Sequence, residues 1–255
     1  MAINNSTIRP DEVERFNRLA ATWWNSAGPM RPLHVMNGLR LGYVLEQIAE
    51  RFGRKAGDLQ GLRIADIGCG AGLMCEPLAA RGAQVVGVDA ATNSIAAARL
   101  HAAGSGLAID YRVGEPQHSL TADDRFDVLL LLEVVEHVDH LQRFVQEASS
   151  KLKPGGLLLV STINRTARSW LKAIVGAEYV FRVLPRGTHH WSQLVRPDEL
   201  NEAARACGLL PHDRRGMGYL PVIHRAWWTK NDLSVNYIAS FNKPVGAGAT
   251  HDGCD

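Results

Sequence analysis

Apolar residues recur along this chain at two spacings, and the order in which those spacings alternate sets the expected architecture. Near the start, Val13, Phe16, Ala20 and Trp23 share one face at helical spacing. Pro10 and the acids Asp11, Glu12 and Glu14 suit the first turn of that helix. The stretch NSAGPMRP breaks the pattern, and a second helix is expected over residues 39–51, ending near Gly53. Both helices precede the first strand, so residues 1–60 read as an N-terminal cap.

From Leu62 onward, strand and helix patterns alternate. LRIADIG, QVVGVD, AIDYRVG, the start of RFDVLLLLEVVEHV, and GLLLVSTIN read as strands. LMCEPLAARG, TNSIAAARLHAAG, HLQRFVQEASSKLKPGG and RPDELNEAARACGL read as helices. Thr92 or Asn93 is expected to cap the second of these, and Pro154 with two glycines to end the third. This alternation predicts a parallel sheet with helices on both faces. The tail, with SVNYIASFNK, reads as an antiparallel pair finishing the sheet. Ligands of such a sheet sit outside the carboxyl ends of the strands.

Composition narrows the function. The 255 residues are 46% hydrophobic and carry a formal net charge of +2. That charge offers no basic footprint for nucleic acid. The four cysteines, Cys69, Cys75, Cys207 and Cys254, form no CxxC pair and read as free thiols in a reducing compartment. The first residues show no secretory pattern, and no apolar run has transmembrane length, so a cytoplasmic location is expected.

ADIGCGAGLM follows the first strand and opens a helix, so Gly68, Gly70 and Gly72 allow close backbone approach to a ligand. Asp89 ends the second strand about 20 residues on, where an acid can accept ribose hydroxyls. A nicotinamide cofactor would require a small residue at Leu73, and the chain has no P-loop lysine. An uncharged loop preceded by Asp66 suits instead a sulfonium nucleoside carrying an amino-acid tail.

DIGCGAG followed by VVGVD resembles the cofactor loop of class I S-adenosylmethionine methyltransferases. ATWWNSAGPMRPLHVMNGLRLGYV, EVVEHV, STINRTARSWLKAIVGAEYVFRVLPRGTHHW and VNYI are similar to the ubiquinone-biosynthesis O-methyltransferase family. The resemblance runs from about Val13 to Asn242. The chain departs from the common family pattern in CGAG for CGGG, EVVEH for EMLEH and THHW for THDW, the last placing His190 where an acid is usual.

The resemblance implies an α/β fold: a seven-stranded Rossmann-like sheet, mostly parallel, with an antiparallel final strand and helices on both faces. The core would span 61–163 and 192–245, with an insertion at 164–191. It implies S-adenosylmethionine as cofactor and phenolic hydroxyls of polyprenyl catechol intermediates as substrate. It assigns Arg40, Gly68, Asp89 and Leu132 to the cofactor, beside Gly70 of the same loop. A guanidinium at Arg40 suits the cofactor carboxylate, and Asp66 suits its amino group. Glu115 reads either as a neighbour of the adenine or as a solvated loop acid.

EVVEHVDH brings Glu133, Glu136 and His137 to the end of the fourth strand. A phenol ionises near pH 10 and needs activation. Two carboxylates and an imidazole could hold Mg²⁺ or another divalent metal such as Zn²⁺, as described for some relatives. The same groups could serve as a general base, or cap the next helix and pair with cap-helix cations. His189, beside Trp191, is a further catalytic candidate, followed by His190 and His34.

The insertion carries Trp170, Ile174, Ala177, Phe181 and Leu184 on one helical stripe, with Arg168, Lys172, Arg182 and Arg186 on the other side. That pattern fits a helix lying in an anionic membrane interface through 165–187, or a lid packed over the substrate. The expected location is then peripheral to the inner face of the cell membrane, with other ubiquinone-pathway proteins as candidate partners. Two alternatives stay open at this point: methylation of a soluble phenolic natural product, and a lipid- or cofactor-binding protein without turnover.

Overall fold

The computed structural model describes residues 9–169 and 191–245. Strands β1 (Arg63–Ile67), β2 (Gln84–Asp89), β3 (Asp110–Val113), β4 (Phe126–Leu132) and β5 (Leu152–Ile163) run parallel. Strands β6 (Leu210–Leu220), β7 (Arg225–Lys230) and β8 (Asn236–Asn242) pair antiparallel. The sheet order is β3-β2-β1-β4-β5-β8-β6-β7. The helices are α1 (Pro10–Leu19), α2 (Arg31–Phe52), α3 (Cys75–Ala79), α4 (Thr92–Gly104), α5 (Pro116–Ser119), α6 (Leu141–Ser149), α7 (Ala167–Ser169, as far as described) and α8 (Pro197–Ala206).

The described residues thus hold eight strands rather than seven, and two of them, β7 and β8, run against the rest rather than one. Polar residues and Gly216 and Gly218 dilute the alternation in β6, which hides it from a pattern reading. The run FDVLLLL behaves as expected for a strand covered on both faces. Val128 and Leu130 pack with Tyr43, Val44 and Ile48 of α2 and Ile95 of α4. Leu129 and Leu131 pack on the other face with Phe144 of α6 and Leu200 of α8. Each such leucine contributes about 1.5–3 kcal/mol by leaving water.

Three boundaries differ from expectation. Helix α2 starts at Arg31 rather than Leu39, because Pro32 sits in its first turn, where no intrahelical N–H is needed. It ends as expected at Gly53, in the left-handed conformation. Helix α4 has no side-chain cap from Thr92 or Asn93. The Asn93 amide donates instead to Asn17 Oδ1 of α1 at 2.9 Å, so the cap helix satisfies it through space. KPGG does not end a helix: α6 stops at Ser149, and β5 begins at Leu152 with a bulge between the pairs Phe126–Leu152 and Val128–Leu157.

The cap docks on the core through Trp24. Its indole N–H donates to the Ala71 carbonyl at 3.0 Å, and its ring stacks on His101 of α4. The expected amphipathic stripe from Trp170 to Leu184, with His189 and His190, lies outside the described residues. Among those described, no helix is long and apolar enough to cross a membrane.

Candidate active site

Strand β1 lies between β2 and β4, so the chain departs in opposite directions at their carboxyl ends. A cavity of about 680 Å³ opens there, within the usual range for small-molecule sites. The glycine loop, the ends of β2 and β4, both cap helices and the β6–β7 hairpin all contribute to its wall.

The glycine loop has the conformation its sequence demands. Gly68 and Gly70 adopt φ of 79° and 54°. A Cβ on Gly68 would come within 2.5 Å of Val134, and one on Gly70 within 2.2 Å of Trp23. The missing side chains therefore make room for protein groups that close over the loop, as well as exposing backbone to the cavity. Asp89 accepts the Gly70 amide on one oxygen and the Ala91 amide on the other, both at 2.8 Å. Each oxygen keeps a lone pair for a ribose hydroxyl. Asp66 is buried and accepts the Cys75 thiol at 3.3 Å. Burial, with Asp89 nearby, pushes its carboxyl up to about 7. Burial also raises the Cys69 and Cys75 thiols, which makes them poor nucleophiles.

Arg40 is buried on α2. It donates to Asn37 Oδ1 at 3.0 Å and to Glu133 Oε1 at 2.9 Å, while its Nε has no protein partner. A buried guanidinium with an unused donor at a cavity wall fits a carboxylate ligand. With Asp66 and Asp89 it sets one cation and two carboxyl groups along the same cavity.

Glu133 leaves β4 with φ of 57°, an uncommon conformation for a side-chain-bearing residue. Its amide donates to the Ser161 carbonyl, and Ser161 Oγ donates back to Glu133 Oε1 at 3.0 Å. Glu136 is buried, takes the Thr162 hydroxyl at 2.8 Å on Oε2, and leaves Oε1 without a protein partner. Burial and the Glu133 charge push its carboxyl well up. His137 Nδ1 lies 3.1 Å from Glu12 of α1, and Phe16 meets its ring edge-on at 5.5 Å.

The structure gives the metal expectation no support. Glu133 is held by Arg40, Glu136 by Thr162, and His137 by Glu12, each on a different neighbour. Among the described residues, no three His, Cys, Asp or Glu side chains gather as a metal-holding group. As placed, the residues do not fit a metal ion.

Gly68, Gly70, Asp66, Asp89, Leu132, Arg40, Glu133, Glu136 and His137 all line the one cavity. Glu115 does not; it accepts from Gln117 at 2.9 Å, between Gly114 and Pro116, which do line it. His34 turns away and bonds the Trp23 carbonyl at 2.8 Å. His189 falls outside the described residues. Sequence reasoning missed Glu12, Phe16 and Trp23 as site residues, since their spacing marks only a helix face. The signal the sequence offered was an acid, Glu12, set beside that apolar stripe; its burial shows only in the fold.

A family model described as a methyltransferase domain matches residues 65–160. The chain is 49% identical to a ubiquinone biosynthesis O-methyltransferase of Chelativorans sp. (strain BNC1), covering 94% of this chain and 96% of that one. It is 50% identical to the protein of the same name in Cereibacter sphaeroides, covering 94% and 98%. Among solved structures, magnesium protoporphyrin IX methyltransferase from Synechocystis with bound S-adenosylhomocysteine superposes with a TM-score of 0.66. The identity is 17%, over 91% of this chain and 100% of that one, a likeness of fold. A SAM-dependent methyltransferase from Aquifex aeolicus gives 0.56 at 13% identity, over 91% and 98%.

Proposed function

The chain belongs to the ubiquinone biosynthesis O-methyltransferase family and is an S-adenosylmethionine-dependent O-methyltransferase, and on that premise we propose that it methylates phenolic hydroxyls of polyprenyl catechols. The observation that carries this reading is the cavity wall. Beyond the polar cofactor corner lie Leu33, Met36, Met217, Leu220 and Trp227, an apolar wall suited to a prenyl tail.

S-adenosylmethionine supplies an electrophilic methyl group on its sulfonium. Arg40 would hold its carboxylate, Asp66 its amino group and Asp89 its ribose hydroxyls, with the backbone at Gly68, Gly70 and Leu132 beside it. His137 is the proposed base. Glu12 meets its Nδ1 at 3.1 Å, which holds the ring in place and favours its charged form. Glu136, held largely protonated by burial, offers Oε1 to the neighbouring catechol oxygen. Trp23 and Phe16 exclude water, which strengthens each of these contacts. Alignment of oxygen, methyl carbon and sulfur supplies much of the remaining rate.

The proposed location is the inner, cytoplasmic face of the cell membrane, with the amphipathic 165–187 segment against anionic lipid. The cap (1–60), core (61–163 and 192–245) and insertion (164–191) act as one enzyme in this reading. His189 is a second base candidate within the insertion.

Transfer of labelled methyl to catechols of varied prenyl length tests the substrate class. Rates that rise with tail length are expected. Full rates on short soluble phenols with none on prenylated ones would overturn it.

A further inference from the structure

The β6–β7 hairpin ends in an apolar tip that the catalytic reading does not use. Val222 and Ile223 are 64% and 60% exposed, flanked by Leu220 and Trp227 at 41% each. Isolated exposed apolar residues are ordinary, but four within eight positions form a patch that calls for an occupant. The tip is held in one shape. Tyr219 Oη and His224 Nδ1 hydrogen-bond at 2.8 Å across it, and His224 takes φ of 47°.

Two further observations say what the patch meets. First, it is continuous with the cavity: Leu220, Pro221 and Trp227 line the pocket from inside while Val222 and Ile223 project beyond it. Second, the charge at the tip is cationic. Arg225 stands there with no Asp or Glu between Leu220 and Lys230, while Arg215, farther down the hairpin, is already paired with Glu46 and Asp213. Arg225 is exposed at the tip, and exposed Arg31, opening α2, acts electrostatically on Tyr219. Aliphatic residues at a turn, a tryptophan behind them and cations around them are the composition of a loop seated in an anionic lipid surface.

We propose that the β6–β7 hairpin tip inserts into the anionic membrane surface and sets the cavity mouth against the bilayer. A prenyl tail then passes from lipid to the apolar wall between α2 and β6 without crossing water. This route for the tail rests on the polyprenyl substrate reading; the lipid contact does not.

The test is co-sedimentation of the full chain with phosphatidylcholine vesicles, with and without phosphatidylglycerol. The double variant Val222→Ser/Ile223→Ser is expected to lower the bound fraction about tenfold. Arg225→Glu is expected to lower it about fivefold on anionic vesicles only. Neither touches the cofactor corner, so methylation of a short, water-soluble catechol stays at the parent rate, which also verifies folding. Methylation of a long-tailed catechol embedded in vesicles falls with binding.

Vesicle binding equal to the parent in both variants overturns the proposal, as does a parent chain that never sediments. If the variants sediment as the parent does but differ from it in oligomeric state by light scattering, the patch is a contact between copies, which also overturns the proposal. If no long-tailed catechol is methylated in detergent, yet vesicle binding still needs Val222 and Ile223, the substrate reading fails and the hairpin contact stands.

Discussion

Glu12, in the first turn of the cap, and His137, just past β4, meet across 3.1 Å at the edge of the cavity. The contact joins residues 125 positions apart, and Arg15 holds the same carboxylate from the next turn. Burial alone would raise the Glu12 carboxyl, but the His137 hydrogen bond and the charges of His137 and Arg15 outweigh it and hold it below its usual range. In the proposed mechanism the cap is therefore part of the chemistry as well as a cover.

Glu12→Gln keeps the size of the side chain and removes its charge. The variant is expected to lose about tenfold or more in kcat, with KM for S-adenosylmethionine little changed. Without the carboxylate, the charged imidazolium loses its support, so the acid limb of the rate profile moves to lower pH. His137→Ala should cost about a hundredfold or more. A Glu12→Gln profile that overlays the parent would leave Glu12 a structural contact only. Because Glu12 is depressed in the folded chain, its stabilising effect is present above about pH 4.3 and lost as acid protonates it.

Arg40→Lys preserves the charge beside Glu133 and removes the planar fork. Affinity for S-adenosylhomocysteine is expected to fall about tenfold. Arg40→Ala should also destabilise the chain, by about 3 kcal/mol, since Glu133 is left without its cation. Calorimetry separates the two effects; equal affinity in Arg40→Lys would remove the carboxylate contact.

Asp66 gives a stability slope. Its folded carboxyl sits at about 7, with burial the chief cause, while an unfolded aspartate ionises near 3.9. The folded chain thus binds a proton that the unfolded chain has released between those values. The stabilising contribution is full below about pH 4 and disappears as pH rises through about 7. Melting of the ligand-free parent should decline over that window more steeply than melting of Asp66→Asn. Binding of S-adenosylhomocysteine, whose ammonium prefers the ionised acid, should tighten over the same window.

Gly70→Ala places a methyl group where Trp23 lies and forces a left-handed alanine. A loss of about 2 kcal/mol in stability is expected, from backbone strain of roughly 1–2 kcal/mol with the clash added. Weaker cofactor binding should accompany it. In a Trp23→Ala background the added cost of Gly70→Ala should be smaller than in the parent, because the clash is gone and only the strain is left. An equal cost in both backgrounds would place the defect in the loop alone.

The ligand-free chain is expected to bind Mg²⁺ no tighter than about millimolar, because Arg40 and Glu12 occupy the groups a hard cation would use. Micromolar binding in calorimetry would mean that those partners release Glu133 and His137 together.

The sequence by itself determined the parallel core, the cofactor and the family. A buried strand such as FDVLLLL and a glycine loop such as DIGCGAG act through local period and backbone freedom, which any linear reading can see. It also identified Arg40, Asp66, Gly68, Asp89, Leu132, Glu136 and His137, which converge on one cavity. It could not say how those groups are paired. That Arg40 neutralises Glu133, that Glu12 takes His137, and that Trp23 fills the space over Gly70 are contacts between distant elements. Only the packing of α1 and α2 across the strand ends creates them. For the same reason the metal cluster legible in EVVEHV is not a cluster in the fold. Spacing put the three side chains in one segment, but the cap takes Glu133 and His137 while Thr162 of β5 takes Glu136.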